Sequence, residues 1–389
     1  TVLLPTRSYE EALSLARKSI ALVDRGQTRS ATARSIRSER GQCVTTPSTR
    51  SGAGSDTLMY VFNFENNDGF SVIAANRAVD PVLAVAEKGN YTYGEPTGVE
   101  NFDFYMDAMA QSLAVIKPPK FDTIRTTPKF KTVEVNESRS CDPLIPVRWG
   151  QRSPYGDYCS NGYSGCVATA IAQIMAYYRF PSSFTTTYTD APHAGETIAL
   201  NWTSIISYPY VYQVPALMRE IGQRVEMTYH PIDENDMETG SSAFSYMAPD
   251  CLISFGYSCA SGLASYEIAS IRTNLDETHP VYVRANDISE GGHAWIADGY
   301  IYSRIGTEYY EEILIDNGLT LYYDYILTNS TVQTTNLVHY NWGWDGSCDG
   351  YFAPGNGVAS GNGYIFDGLQ MITSIRLPRI DSNLNHDFL

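Results

Sequence analysis

Apolar and polar positions follow different periods in different parts of the chain, and each period predicts an element. In residues 8–23 (SYEEALSLARKSIALV) apolar side chains recur at helical spacing behind Ser8 and Glu11, which stand in the spacing of a capping box. Residues 57–64, 70–75 and 81–86 are short apolar runs joined by the turn-rich NNDG and NRAVD, which predicts strands. Residues 101–116 read as another helix, so the first part is a small α+β unit. Residues 27–56, rich in Ser, Thr, Arg and Gly, have no period and read as a loop.

Residues 117–140 carry three prolines and six basic residues without a clear period, the composition of an exposed linker of the kind proteases cut. Beyond it, Val167, Ala170, Ile171, Ile174, Met175 and Tyr178 form the buried stripe of a helix that Pro181 stops. Helical patterns follow at 214–225 and 265–275, and strand-like segments at 280–285, 293–303, 308–316, 319–327 and 335–342. Helices first and antiparallel strands later predict an α+β domain with segregated layers. The expected organisation is therefore 1–116, a linker at 117–140, and 141–389.

Length agrees, since 389 residues exceed one ordinary core. No apolar run approaches the length of a membrane helix and no signal peptide is visible. The start at Thr1 raises the expectation that a leader has been removed. Charge separates the parts: residues 1–140 hold 17 basic and 16 acidic side chains, and 141–389 hold 10 and 27. All six lysines lie in the first part, so the second is unsuited to nucleic acid or an anionic membrane. The acidic run 233–240 lacks a calcium-loop pattern and reads as a solvated loop.

Seven cysteines are an odd number, which leaves at least one outside any intramolecular disulfide, and none shows zinc-site spacing. Cys166 stands just before the stripe of its helix and after Gly162, Ser164 and Gly165. It reads as a small structural cysteine or as a nucleophile. A helix N-terminus favours a thiolate, and its free N–H groups suit an oxyanion. A nucleophile needs a base. His193, His230, His279 and His386 read as loop or tail residues, and His339 stays a second candidate on a strand. His293 follows Gly291 and Gly292 and leads into a strand that can hold its ring still.

In HYNWGWDG, Asn341 suits the orienting of an imidazole and the tryptophans its shielding, although a Trp-rich turn packed on the core reads equally well. Gln151 in PVRWGQRSPYG offers an amide donor. The order Gln151, Cys166, His293, Asn341 puts His 127 and Asn 175 residues after the cysteine. Papain-like peptidases place them roughly 130–150 residues after it, and extra hairpins between 300 and 335 account for the later Asn.

With WGQRSPYG, GCVATAIAQIMAYYRFP, GGHAWIADGY and NWGWDG, and with YVFNFENNDGFSVIAANRAVDPVLAVAEKGNY in the first part, the chain resembles the streptopain family of bacterial cysteine peptidases. The resemblance implies a papain-like peptidase domain preceded by a propeptide, acting on protein and peptide substrates outside the cell without metal or organic cofactor. It implies Cys166 as nucleophile and His293 as its base and later acid. Gln151 and the Cys166 N–H would hold the oxyanion, Asn341 would orient His293, and Trp342 would cover that pair. The propeptide, 1–116, would cover the site as an intramolecular inhibitor until the linker is cut. The departures, CSNGYSGC and EGGHAW, bear on substrate subsites. Two other classes use the same residues: acyl transfer to an amine, as in transglutaminases, and a non-catalytic adhesin on a peptidase scaffold.

Overall fold

The computed structural model describes residues 6–23, 35–36, 41–45, 57–116, 130–231, 240–260, 262–287, 291–316, 321–354 and 369–377. Most of the predicted loop 27–56, linker residues 117–129, acidic residues 233–239 and His386 lie outside them. The first helix is α1 (Tyr9–Val23), and its capping box is formed: Ser8 N–H donates to Glu11 at 2.8 Å and Glu11 N–H to Ser8 Oγ at 3.3 Å. Four antiparallel strands follow, β1 (Gln42–Thr45), β2 (Thr57–Asn63), β3 (Phe70–Ala74) and β4 (Val82–Ala86), and then α2 (Glu100–Val115). β1 falls inside the predicted loop, because four residues are too few to show a period before a partner strand is known.

β5 (Phe130–Cys141) corrects the extent of the linker. Residues 130–141 pair antiparallel with 300–311 of a later strand instead of lying free. Side chains 131–141 are exposed or only partly buried, and the alternation is confined to Val133 and Val135, too short to mark the strand without its partner.

Helices α3 (Cys166–Tyr178) and α4 (Gln213–Arg224) pack together, whereas α5 (Ile268–Asp276) buries Ile271 and Leu275 in the separate core that also holds Phe102 and Tyr105. After these come β6 (Val281–Asp287), β7 (Gly291–Asp316), β8 (Leu321–Ser330), β9 (Gln333–Asn341), β10 (Gly350–Phe352) and β11 (Gln370–Ile372). The two strands expected at 293–303 and 308–316 are one continuous strand, β7.

One sheet runs β1-β2-β3-β4-β10-β9-β7-β6-β11, with β5 and β8 also paired to β7. Its joint is β4 against β10, where Ala84, Val85 and Ala86 face Phe352, Tyr351 and Gly350. A Cβ on Gly350 would stand 2.3 Å from the Val85 carbonyl, so the joint needs glycine there. The apolar core crosses the joint as well. Phe102 and Tyr105 of α2 pack with Trp295, Tyr340, Trp342 and Phe352 of the second unit at ring separations of 5.5–6.3 Å. A second core lies between α3, α4 and the other face of β6 and β7. No helix among the described residues is long and apolar enough to cross a membrane.

Candidate active site

Gly165 begins the site. Its φ is +84°, and a Cβ there would meet Met227 at 2.8 Å and Ser241 at 3.1 Å, so both conformation and space call for glycine. The chain turns at this residue, and Cys166 becomes the first residue of α3. Apolar residues of the predicted stripe are buried behind it, while Cys166, Thr169 and Gln173 recur at i, i+3 and i+7 as a polar line.

His293 lies on β7 opposite Ala285 of β6. The next residue ties it to the cysteine, because the Ala294 N–H donates to the Cys166 sulfur. The Cys166 sulfur therefore lies beside the backbone of the strand that carries His293, across 127 residues of sequence.

The first turn of α2 occupies the same place. Asn101, 1% exposed, donates from its side chain to the Ala294 carbonyl at 2.8 Å and to the Trp342 carbonyl at 3.4 Å. It joins the residue after His293 to the residue after Asn341. The Phe104 ring sits 6.0 Å from the His293 ring, and the Glu100 carboxylate is close enough to act on the Cys166 charge. Burial pushes the Cys166 thiol up to about 11, helped by Glu100 and only partly offset by the Ala294 N–H. The helix-terminus argument predicted the opposite direction. It loses here because burial costs a thiolate more than the N–H groups around the sulfur return.

Gln151 is buried, and its backbone carbonyl accepts from Ser164 N–H at 2.8 Å and Ser164 Oγ at 3.3 Å, two residues before the nucleophile. Asn341 differs from expectation. β9 sets it opposite Ile296, three residues along β7 from His293, or about 10 Å at strand rise. Its amide is turned toward α3, where Gln173 holds it, and donates to the Val147 carbonyl at 3.1 Å. Trp342 is 1% exposed within the aromatic core, its N–H on the Cys348 carbonyl at 3.0 Å. It lies at the α2 contact, where Phe102 covers it, rather than over a His–Asn pair.

His339, the second candidate base, belongs to a buried charge cluster at the β4–β10 joint. Its Nδ1 is 2.6 Å from Asp298 and its Nε2 3.5 Å from Glu87, which also meets Arg148. Burial works against charge here, but Asp298 and Glu87 together raise His339 to about 10. His339 and Arg148 likewise outweigh burial and hold Glu87 down at about 2. Asp349 nearby is pushed up to about 7 by burial. A histidine bound as a cation between two carboxylates is unsuited to take a proton at neutral pH. Apart from His339, the residues of this cluster carry no signal in the sequence, and neither do Asn101 and Phe104. Gln173 is marked only by the spacing Cys166, Thr169, Gln173 in an otherwise apolar helix.

Two family patterns match the chain: peptidase C10 over residues 149–352 and the Spi protease inhibitor over residues 6–113. Streptopain of Streptococcus pyogenes is 24% identical over 367 residues, covering 80% of each chain. The thiol protease/hemagglutinin PrtT of Porphyromonas gingivalis is 25% identical over 354 residues, covering 79% of this chain and 36% of its own. The fold is similar to that of the prointerpain A fragment of Prevotella intermedia, with a TM-score of 0.52 at 22% identity, covering 85% of this chain and 98% of that one.

Proposed function

The chain belongs to the peptidase C10 family and is a cysteine-type peptidase with a propeptide inhibitor domain; from this premise we propose that it is the zymogen of an endopeptidase acting on proteins outside the cell. Residues 1–116 are the propeptide and 141–389 the peptidase. The activating cut falls before Phe130, since 130–141 are bonded along β7. Once α2 leaves, the Glu100 carboxylate no longer acts on the thiol, and Phe104 no longer rests beside the His293 ring.

His293 then takes the Cys166 proton, and the sulfur attacks the peptide carbonyl carbon. Gln151 and the Cys166 N–H stabilise the oxyanion. His293 returns the proton to the leaving amine as the C–N bond breaks, and next takes a proton from the water that opens the thioester. Asn341 and Trp342 act from behind, on the position of α3 and β7.

The observation that carries this reading is the Ala294 N–H on the Cys166 sulfur, which sets the thiol against the strand bearing His293. Iodoacetamide is expected to label Cys166 after propeptide removal, and Cys166→Ala to abolish casein cleavage. Casein cleavage that survives Cys166→Ala refutes the assignment. Product analysis with an added amine separates hydrolysis from acyl transfer.

A further inference from the structure

Gln173 is fully buried in the second turn of α3 after the nucleophile, about 10 Å along the helix from Cys166. Its Oε1 accepts from the Trp149 N–H at 3.0 Å, and its Nε2 donates to Asn341 Oδ1 at 3.0 Å. Asn341 Oδ1 also accepts from the Gly343 N–H at 3.1 Å, while Asn341 Nδ2 donates to the Val147 carbonyl and to Gln173 Oε1, both at 3.1 Å. A backbone N–H cannot accept and a carbonyl cannot donate, so three backbone groups fix which end of each amide is oxygen. The result is a closed clasp of two side-chain amides joining α3, residues 147–149 and the end of β9.

The clasp is the far end of a row of anchors. Along the 147–151 segment, the Val147 carbonyl is held by Asn341, the Trp149 N–H by Gln173, the Gly150 carbonyl by Thr169 Oγ1 at 3.4 Å, and the Gln151 carbonyl by Ser164. Gly343 allows the β9 end to come this close, since a Cβ there would already stand 3.0 Å from Thr169 Cγ2. Thr169 and Gln173 lie on the same helix face as Cys166, so the segment that ends at Gln151 is laid along the nucleophile's own helix.

We propose that Gln173, through its amide clasp with Asn341 and the Trp149 N–H, is a positioning residue that sets Gln151 at the oxyanion site relative to Cys166. This rests on the peptidase reading above. Asn341 serves the oxyanion side of the reaction through Gln173, a different task from orienting His293. Oxyanion stabilisation is sensitive to donor placement, and loss of one donor costs about a hundredfold to a thousandfold in kcat. Misplacement of the donor is expected to cost about tenfold to a hundredfold. Alkylation of the thiol forms no oxyanion and depends on Cys166 and His293 alone.

The test uses the enzyme processed from the full chain. Gln173→Met is expected to lower kcat on a peptide substrate by about tenfold to a hundredfold, with KM little changed and the iodoacetamide rate at Cys166 within about twofold of wild type. Gln173→Glu is the second variant. A protonated carboxyl can still accept from Trp149 and donate to Asn341, whereas the carboxylate repels Asn341 Oδ1. Its kcat relative to wild type should therefore rise as pH falls, and that of Gln173→Met should stay flat. Wild-type kcat in Gln173→Met, a parallel loss of kcat and alkylation, or a flat pH ratio for Gln173→Glu overturns the proposal. Failure of the peptidase reading shows separately, as wild-type enzyme in which iodoacetamide leaves Cys166 unlabelled, and takes the proposal with it.

Discussion

Removing one carboxyl from the β4–β10 joint should loosen the propeptide in a pH-dependent way. Glu87 comes from the propeptide side, is buried, and meets Arg148 and His339 of the peptidase side. Its carboxyl is held at about 2 against an ordinary 4.5. At about 1.4 kcal/mol per tenfold in proton affinity, that difference corresponds to about 3 kcal/mol of docking free energy, or about a hundredfold in affinity. The group is depressed, so its contribution is present above pH 4.5 and is lost as pH falls from there toward 2. His339 is raised from 6.5 to about 10. Its contribution is present below pH 6.5 and is lost as pH rises toward 10. Asp298, Asp349 and the Tyr351 ring also face this histidine, and Asp298 stays with it when the propeptide leaves, so the alkaline limb should be the shallower one.

Docking should be tightest between about pH 5 and 6.5. The assay nicks the linker with a Lys-specific endopeptidase, dilutes the nicked complex at each pH, and reads the dissociated fraction as activity after return to one common pH. For Glu87→Gln, dissociation at pH 6 should rise by about a hundredfold, and the ratio of variant to wild type should shrink below pH 4.5. Docking should weaken but persist, because Phe102 and Tyr105 still bury about 4–6 kcal/mol each of aromatic surface as an upper bound. Equal dissociation of the two proteins at pH 6, or a ratio that does not change with acid, refutes the reasoning.

Other outcomes follow from the same contacts. The iodoacetamide rate of Cys166 should titrate near pH 11 in the full chain and at lower pH after processing, because burial and the Glu100 carboxylate raise the thiol and Glu100 leaves with the propeptide; an unchanged profile argues against this cause. Phe104→Ala should leave the chain folded but raise its activity before linker cleavage, read with a small peptide substrate, since the ring rests beside His293. Gly165→Ala should lower activity by more than tenfold at nearly full expression, because φ +84° and Met227 both oppose a Cβ directly before the nucleophile. Added salt should favour dissociation of the nicked propeptide, with its near-neutral charge and basic linker, from an acidic peptidase of net −17. Dissociation independent of salt removes that electrostatic part.

Local pattern made much of the fold legible. Capping residues, the 3.6-residue stripe and Pro181 mark α1 and α3 because they act within one or two turns. Apolar runs mark β3 and β4 because both faces of these strands are buried. β5 was invisible, since its order comes from β7 and its side chains bury little. The candidate nucleophile and base were legible because each carries a local signature, glycine before a helix in one case and glycine before a strand in the other.

What the sequence determined by itself is therefore the inventory: the elements, two units of different charge, and a cysteine and histidine with the residue types around them that thiol chemistry needs. The tertiary structure decided the relations. It put Asn341 on Gln173, Trp342 beneath α2, and His339 between two carboxylates, and it reversed the direction expected for the Cys166 thiol. Strand register, burial and buried charge are set by partners distant in sequence, from 41 residues for Asp298 and His339 to 241 for Asn101 and Trp342, and no local period encodes them.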